Sequence, residues 1–322
     1  MKNTTYHFGF GVDANYVKYA GVLMTNILLT HLGRPVCFHL ICDGIHAEDE
    51  QRLAEFARLY ANVRVHVHNA TPILDELRPI SPLAPPRLHR AALLRNLLPS
   101  FVEDTVERVV YMDVDMLCLK PLDELWQVQL SNRAVAAVLD VLSARRAKAI
   151  NLTQPRYLSN GLMVLNLPVW RAQNLQQRIL DYYQEHAHLL KLPDQDAINA
   201  VLDGKFVEIN EKFSHLVEVN NPMLSKIQDN TVALHFVNEA KAWTKGCIPE
   251  IHSLYWSYVQ RSLWYDMQMV EPTTIKAAFL AATTYEMQGD YQQATQYYAA
   301  VARRLTEYYL EQNRAELFEE NM

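Results

Sequence analysis

A parallel or mixed β-sheet covered by helices is the fold class that the sequence predicts, and three observations predict it. Apolar strand-like runs alternate with helix-like segments from the N-terminus onward, in the order β-loop-α-β-α-β. The apolar runs are near-continuous, as in strands buried on both faces, and several end on a polar group: Asp13, Asp113, Asp115, Asp140 and His235. The length of 322 residues, half of them hydrophobic, is ample for a large α/β core.

The elements follow in order. Tyr6–Val12 alternates aromatic and small residues and reads as a strand, with Asp13-Ala14-Asn15-Tyr16 as a loop. Lys18–Leu32 has apolar residues at helical spacing and stops at Gly33-Arg34-Pro35. Val36–Cys42 is a buried strand, Ala47–Tyr60 an amphipathic helix and Val63–Val67 a third strand. The proline-rich stretch 78–87 is a loop, and Leu88–Leu98 a helix. Strands are expected at Arg108–Met112, Ala134–Leu139, Gly161–Leu167 and Val232–His235. Val169–Leu190 reads as one long helix, and Pro193-Asp194-Gln195-Asp196 opens another over Ala197–Leu202.

Beyond about residue 270 the chain becomes helix-forming throughout. Alanines and aromatics recur at helical spacing on either side of Gly289-Asp290, like one tetratricopeptide-type hairpin turning at Gly289 with small Ala294 at the packing face. The expected organisation is an α/β domain over 1–270 and a helical extension over 271–322 that supports packing, self-association or a protein partner.

Composition narrows the function. Thirty Lys and Arg against 36 Asp and Glu give a net charge of −6, so no nucleic-acid partner is expected. Glycine is scarce, at 9 residues, and neither GxGxxG nor GxxxxGK[ST] occurs. The four cysteines form no CxxC pair and read as reduced, buried thiols of a cytoplasmic protein. No signal-peptide pattern and no spanning apolar stretch is present, although peripheral contact with the inner membrane stays open through the basic run Arg145-Arg146-Ala147-Lys148.

The strongest local signal is Arg108-Val-Val-Tyr-Met-Asp113-Val-Asp115-Met-Leu-Cys-Leu-Lys-Pro-Leu122. An apolar strand delivers two aspartates at i and i+2, which share a side if the chain stays extended. Two such carboxylates suit a hard divalent cation, Mn²⁺ or Mg²⁺.

This segment resembles the metal-binding core of the retaining glycosyltransferases of family 8, which include bacterial lipopolysaccharide core glucosyl- and galactosyltransferases. Four further segments agree in order: Phe10–Tyr16, Tyr157–Arg171, Asp194-Gln195-Asp196-Ala-Ile-Asn199, and His235-Phe-Val-Asn238-Glu-Ala-Lys241-Ala-Trp243. The resemblance spans about residues 6–245 and implies a GT-A nucleotide-diphospho-sugar transferase fold. It implies that Asp13, Asn15 and Tyr16 hold the uridine of a UDP-hexose and that Asp113, Asp115 and His235 coordinate Mn²⁺ at the diphosphate. Lys241 is then placed at the leaving diphosphate, and Asp140, Asn160, Asp194 and Gln195 at the donor sugar, with Gln195 at the family's debated nucleophile position.

The chain departs from the family pattern in places. Asn160 stands one position from the usual asparagine, Asn238 replaces a glycine, and Ala242 replaces a proline beside Lys241. Asparagine tolerates φ > 0 better than other non-glycine residues, so Asn238 is expected to keep the glycine conformation. The family's donor-contacting arginine has three candidates here, Arg87, Arg90 and Arg95, of which Arg90 is favoured. The implied function is Mn²⁺-dependent, configuration-retaining transfer of glucose or galactose to a saccharide or lipid-linked saccharide such as lipopolysaccharide core. The rivals are a transferase acting on a protein or peptide and a non-catalytic UDP-sugar-binding scaffold.

Overall fold

The computed structural model describes residues 4–77, 86–186, 188–221 and 223–312. Arg87 lies outside the described side chains. The chain divides into two compact units. The first is drawn from Met1–His215, Asp229–His235 and Arg261–Tyr265, and the second from Leu216–Gln228, Phe236–Gln260 and Asp266–Met322.

The first unit is built on a seven-stranded sheet. Its strands are β1 (Tyr6–Asp13), β2 (Val36–Asp43), β3 (Val63–Asn69), β4 (Arg108–Met112), β6 (Val135–Leu139), β7 (Leu158–Asn166) and β8 (Val207–Glu208), in the order β3-β2-β1-β4-β7-β6-β8. β2 runs parallel to β1 with Phe8 opposite Phe38, and β4 runs parallel to β1 on its other side. β7 is reversed, antiparallel to both β4 and β6. Two short strands lie outside this sheet: β5 (Met116–Cys118) and β10 (Ala233–Phe236), which pair antiparallel with His235 opposite Met116. A further short strand, β9 (His215–Val217), straddles the division between the units.

Helices α1 (Val17–Thr30), α2 (Ala47–Leu59), α3 (Thr71–Glu76), α4 (Pro86–Phe101), α5 (Ser143–Ala149), α6 (Leu167–Ala172), α7 (Leu175–His186) and α8 (Pro193–Leu202) surround the large sheet. The glycines of Phe8-Gly9-Phe10-Gly11 decide where α4 sits. A Cβ on Gly9 would stand 2.2 Å from Leu98, and one on Gly11 would stand 2.8 Å from the Leu94 Cβ. The bare backbone of β1 thus lets α4 lie close, burying Leu93, Leu94, Leu97 and Leu98. The alternate residues Phe8, Phe10 and Val12 are fully buried too, giving a sheet apolar on both faces.

The expected single helix over 169–190 is two. α6 stops after Ala172, Asn174 takes the left-handed conformation at φ 48°, and α7 starts at Leu175. Asparagine tolerates that conformation, and helical periodicity on both sides conceals the break. The α8 helix begins at Pro193, four residues earlier than expected, so Asp194, Gln195 and Asp196 occupy its first turn.

The second unit contains α9 (Pro249–Val259), α10 (Ile275–Met287) and α11 (Tyr291–Gln312). α10 and α11 form a helical hairpin, turning at Gly289 with φ 80° and burying Ala277, Ala278, Ala281, Ala282 and Ala294. Gly246 approaches so closely that an added Cβ would stand 2.3 Å from the Ala281 Cβ. Among the described residues no helix is long and apolar enough to cross a membrane.

Candidate active site

The topology gathers the polar strand ends at one edge. β1, β4 and β6 run in the same direction and end at Asp13, Asp113 and Asp140, while reversed β7 begins there with Leu158, Ser159, Asn160 and Gly161. This is the edge at which open α/β sheets bind ligands.

Asp113 and Asp115 flank the sharp turn from β4 into β5, and the β5–β10 pairing brings His235 to them. The His235 Nε2 lies 3.3 Å from Asp115 Oδ1 and 4.0 Å from Asp113 Oδ2. One ligand atom from each of the three residues falls within 4.8 Å of the others. Gly161 leaves the space these groups occupy: a Cβ there would stand 2.4 Å from the His235 Cε1 and 3.2 Å from Asp113 Oδ2. Two carboxylate oxygens and one imidazole nitrogen around such a cradle fit a divalent cation of the Mn²⁺ or Mg²⁺ kind.

Asp113 is held from three sides. Its backbone N–H donates to the Gly161 carbonyl at 2.7 Å, and Oδ1 accepts from the Tyr111 hydroxyl at 2.8 Å. The Arg95 guanidinium lies 3.1 Å from the same oxygen. Burial raises the Asp113 pKa and Arg95 opposes that rise, so the carboxyl carries a desolvation penalty that a bound cation would relieve. Burial also lowers the Arg95 pKa, but Asp113, Asp194 and Asp115 more than reverse it, and the guanidinium stays charged.

A second carboxylate system adjoins the first. Arg95 Nε lies 3.1 Å from Asp194 Oδ2, and Arg95 donates to the Asn160 carbonyl at 2.9 Å. Asn160 Nδ2 donates to Asp194 at 2.7 Å. Gln195 Oε1 accepts from the Asn160 backbone N–H at 3.4 Å, and its Nε2 donates to Asp140 Oδ2 at 3.1 Å. Arg146 pairs with the other Asp140 oxygen at 2.8 Å.

The block Asp194-Gln195-Asp196-Ala-Ile-Asn199 therefore splits by role. Asp194 and Gln195 face this network. Asp196 is buried, accepting from the Tyr157 hydroxyl at 2.5 Å and from the backbone of Lys191 and Leu192 at 2.9 Å each. Asn199 brackets Leu158, accepting from its N–H at 2.7 Å and donating to its carbonyl at 3.0 Å. Asp196 and Asn199 thus seat α8 on the start of β7, and so aim Asp194 and Gln195.

Sequence reasoning favoured Arg90, but the structure turns Arg90 onto Asp43 at 2.7 Å and Asp75 at 2.6 Å. Arg95 is the arginine brought to the aspartates. Asp13 shapes the turn that follows β1, its Oδ1 accepting from the N–H of Asn15 at 2.8 Å and of Tyr16 at 3.2 Å. Burial, then the charges of Asp115 and Asp13, raise the Tyr16 pKa, which ties this turn electrostatically to Asp115. In the second unit, Asn238 has φ 68°, the conformation expected where a glycine is usual, and donates to Glu218 at 2.7 Å. Lys241 belongs to the same unit, its Nζ donating to the Phe236 carbonyl at 2.7 Å, and Trp243 is buried against Tyr255.

A sheet reversed at one strand, with a two-carboxylate and imidazole cradle at its ligand-binding edge, defines an α/β protein with a candidate divalent-cation site. Residues 7–247 match the model of Glycosyl transferase family 8, and the chain belongs to that family. It is thereby a glycosyltransferase with a nucleotide-sugar donor. The lipopolysaccharide 1,3-galactosyltransferase of Salmonella typhimurium is 24% identical over 311 residues, covering 93% of this chain and 91% of that protein. The galactosyltransferase LgtC, solved with donor and acceptor sugar analogs, is similar at TM-score 0.66 and 19% identity over 81% of this chain and 96% of its own. The WbbM bifunctional glycosyltransferase is similar at TM-score 0.68 and 17% identity over 83% of this chain, which spans about half (52%) of that one. The two structural likenesses bear out the expected GT-A fold.

Proposed function

We propose that this protein transfers a hexose, glucose or galactose, from a UDP-sugar to a saccharide acceptor with retention of configuration, and that lipopolysaccharide core is the acceptor class. The observation that carries the reading is the Asp113–Asp115–His235 cradle set beside the Asp194–Asn160–Gln195–Asp140 network. The acceptor class rests on the Salmonella relative named for lipopolysaccharide, to which 93% of this chain aligns.

Asp113, Asp115 and His235 would hold Mn²⁺, which would supply positive charge to the diphosphate as it departs. Asp13, Asn15 and Tyr16 take the uridine, Tyr16 by stacking on the base. Lys241 and Asn238 serve the diphosphate end. Asn160, Asp194 and Asp140 orient the sugar and face the positive charge that grows at its anomeric carbon. Arg95 replaces Arg90 in this scheme, fixing Asp113 and Asp194 in one geometry.

Gln195 fits a positioning role. Its amide oxygen already accepts from Asn160 and its amide nitrogen donates to Asp140. A neutral amide so engaged is a poor nucleophile, which favours attack of the acceptor from the face the diphosphate leaves, with a phosphate oxygen taking the acceptor proton. The catalytic action is expected at the cytoplasmic face of the inner membrane, where a lipid-linked saccharide is accessible.

The test is donor hydrolysis with Mn²⁺ across UDP-, GDP- and ADP-sugars, for wild type and Asp115→Ala. Slow turnover of one UDP-hexose, lost in the variant and accelerated by crude lipopolysaccharide core, is the expected result. Absence of UDP-sugar binding would overturn the reading.

A further inference from the structure

We propose that His7, Cys37 and His39 form a second metal site, with a nitrogen and sulfur donor set suited to a zinc-class ion, on the sheet face covered by α4. Strand register makes the cluster. His7 on β1 lies opposite Cys37 on β2, and His39 follows two residues on, so all three share one face. His39 is 3% exposed and Cys37 1%, in a strand whose other residues from Val36 to Cys42 are apolar. His66 and His68 of β3 stack against His39 with ring centroids at 5.3 and 5.9 Å.

The separations are close to those a tetrahedral ion requires. His7 Nδ1 lies 3.0 Å from His39 Nε2, Cys37 Sγ lies 3.5 Å from the same nitrogen, and one ligand atom from each residue falls within 4.8 Å of the others. Bonds of about 2.05 Å to nitrogen and 2.3 Å to sulfur at tetrahedral angles place ligand atoms about 3.4 Å (N···N) and 3.6 Å (N···S) apart. Adjustment of a few tenths of an ångström admits the ion. His7 is only partly buried, which leaves the fourth position to water.

On binding, the thiol releases its proton to solvent, the two imidazoles at most change tautomer, and the new bonds clamp β1 to β2. Thiolate with imidazole is a softer set than the two carboxylates and imidazole of the active site, so the two sites select different ions.

Cobalt(II) titration of the chelator-treated full chain tests this. One equivalent is expected to give a thiolate-to-cobalt charge-transfer band in the near ultraviolet. Asp115→Ala should leave the band in place, Cys37→Ser should abolish it, and His39→Gln should weaken binding by about 100-fold or more, the loss that even outer-shell changes can reach. A folded wild type without the band, or a band that survives Cys37→Ser, overturns the site. If Cys37→Ser does not fold, X-ray absorption of the zinc-loaded wild type decides. A sulfur neighbour at about 2.3 Å supports the site, and nitrogen and oxygen neighbours alone overturn it.

Discussion

Arg95 lies 3.1 Å from Asp194, and the same guanidinium lies 3.1 Å from Asp113, so one cation joins the end of β4 to the first turn of α8. Removing it takes the ion-pair partner from both Asp113 and Asp194. Arg95→Met is expected to lower folding stability by about 3 kcal/mol or more in chelator, in the range for breaking a buried pair. Urea unfolding with and without Mn²⁺ checks this, and the metal should recover part of the loss. Equal stability to wild type in chelator would mean that the pair contributes nothing.

Gly161→Ala tests the cradle. The added Cβ would overlap the His235 ring at 2.4 Å, and a side-chain end yields more readily than backbone. The fold should persist while the imidazole is displaced. Mn²⁺ affinity, followed by the loss of its free-ion paramagnetic resonance signal, is expected to fall at least about tenfold, equivalent to about 1.4 kcal/mol. Unchanged affinity would remove His235 from the ligand set.

Gln195→Ala separates positioning from nucleophilic attack. The change takes the Gln195 donor from Asp140 Oδ2 and the acceptor from the Asn160 N–H but removes no charge. Donor KM should change little and kcat should drop about 100-fold, as for a lost orienting contact. A complete loss of turnover, with donor binding intact, would favour Gln195 as nucleophile.

Acid should destabilise the chain through its buried histidines. Burial lowers His7 to about 4 and His39 to about 3, and also lowers His31 and His68. Free histidine titrates near about 6.5, so below that pH the unfolded chain binds more protons than the folded one. This contribution is present above pH 6.5 and is lost as pH falls through the folded values. In chelator, the urea midpoint should fall between pH 7 and pH 4.5, and His39→Leu should flatten that fall. An identical slope in the variant would locate the acid sensitivity elsewhere.

The C-terminal helices are expected to hold the second unit together rather than act in chemistry. Deleting residues beyond 270 strips Gly246 of Ala281 and Lys245 of its partner Glu271. The truncated chain should lose solubility or cooperative melting. A truncated protein that folds, turns over donor and keeps its oligomeric state would refute this role.

Much of the site was legible from residue order. Apolar runs ending at Asp13, Asp113 and Asp140 marked strand ends, whereas β10 runs one residue past His235, and Asn238 in place of glycine marked a left-handed backbone. Such signals are local: a strand's polarity pattern or a residue's tolerance of φ > 0 depends on its neighbours in sequence. The split of helix 169–190 at Asn174 was hidden because helical periodicity runs on both sides of it.

The choice between Arg90 and Arg95 belonged to the tertiary structure. Five residues apart, they point about 140° apart around α4, so one rotation of the helix brings only one of them to the aspartates. That rotation is set where Leu94 and Leu98 settle against Gly11 and Gly9 of β1, across a gap of more than eighty residues in the chain. Residue order alone determined the sheet-and-helix class and the types of the candidate metal-holding residues. The reversal of β7, which brings Asn160 and Gly161 to the edge where β4 ends, and the docking of α4, which aims Arg95, were decided by burial of surfaces that meet only in the folded chain.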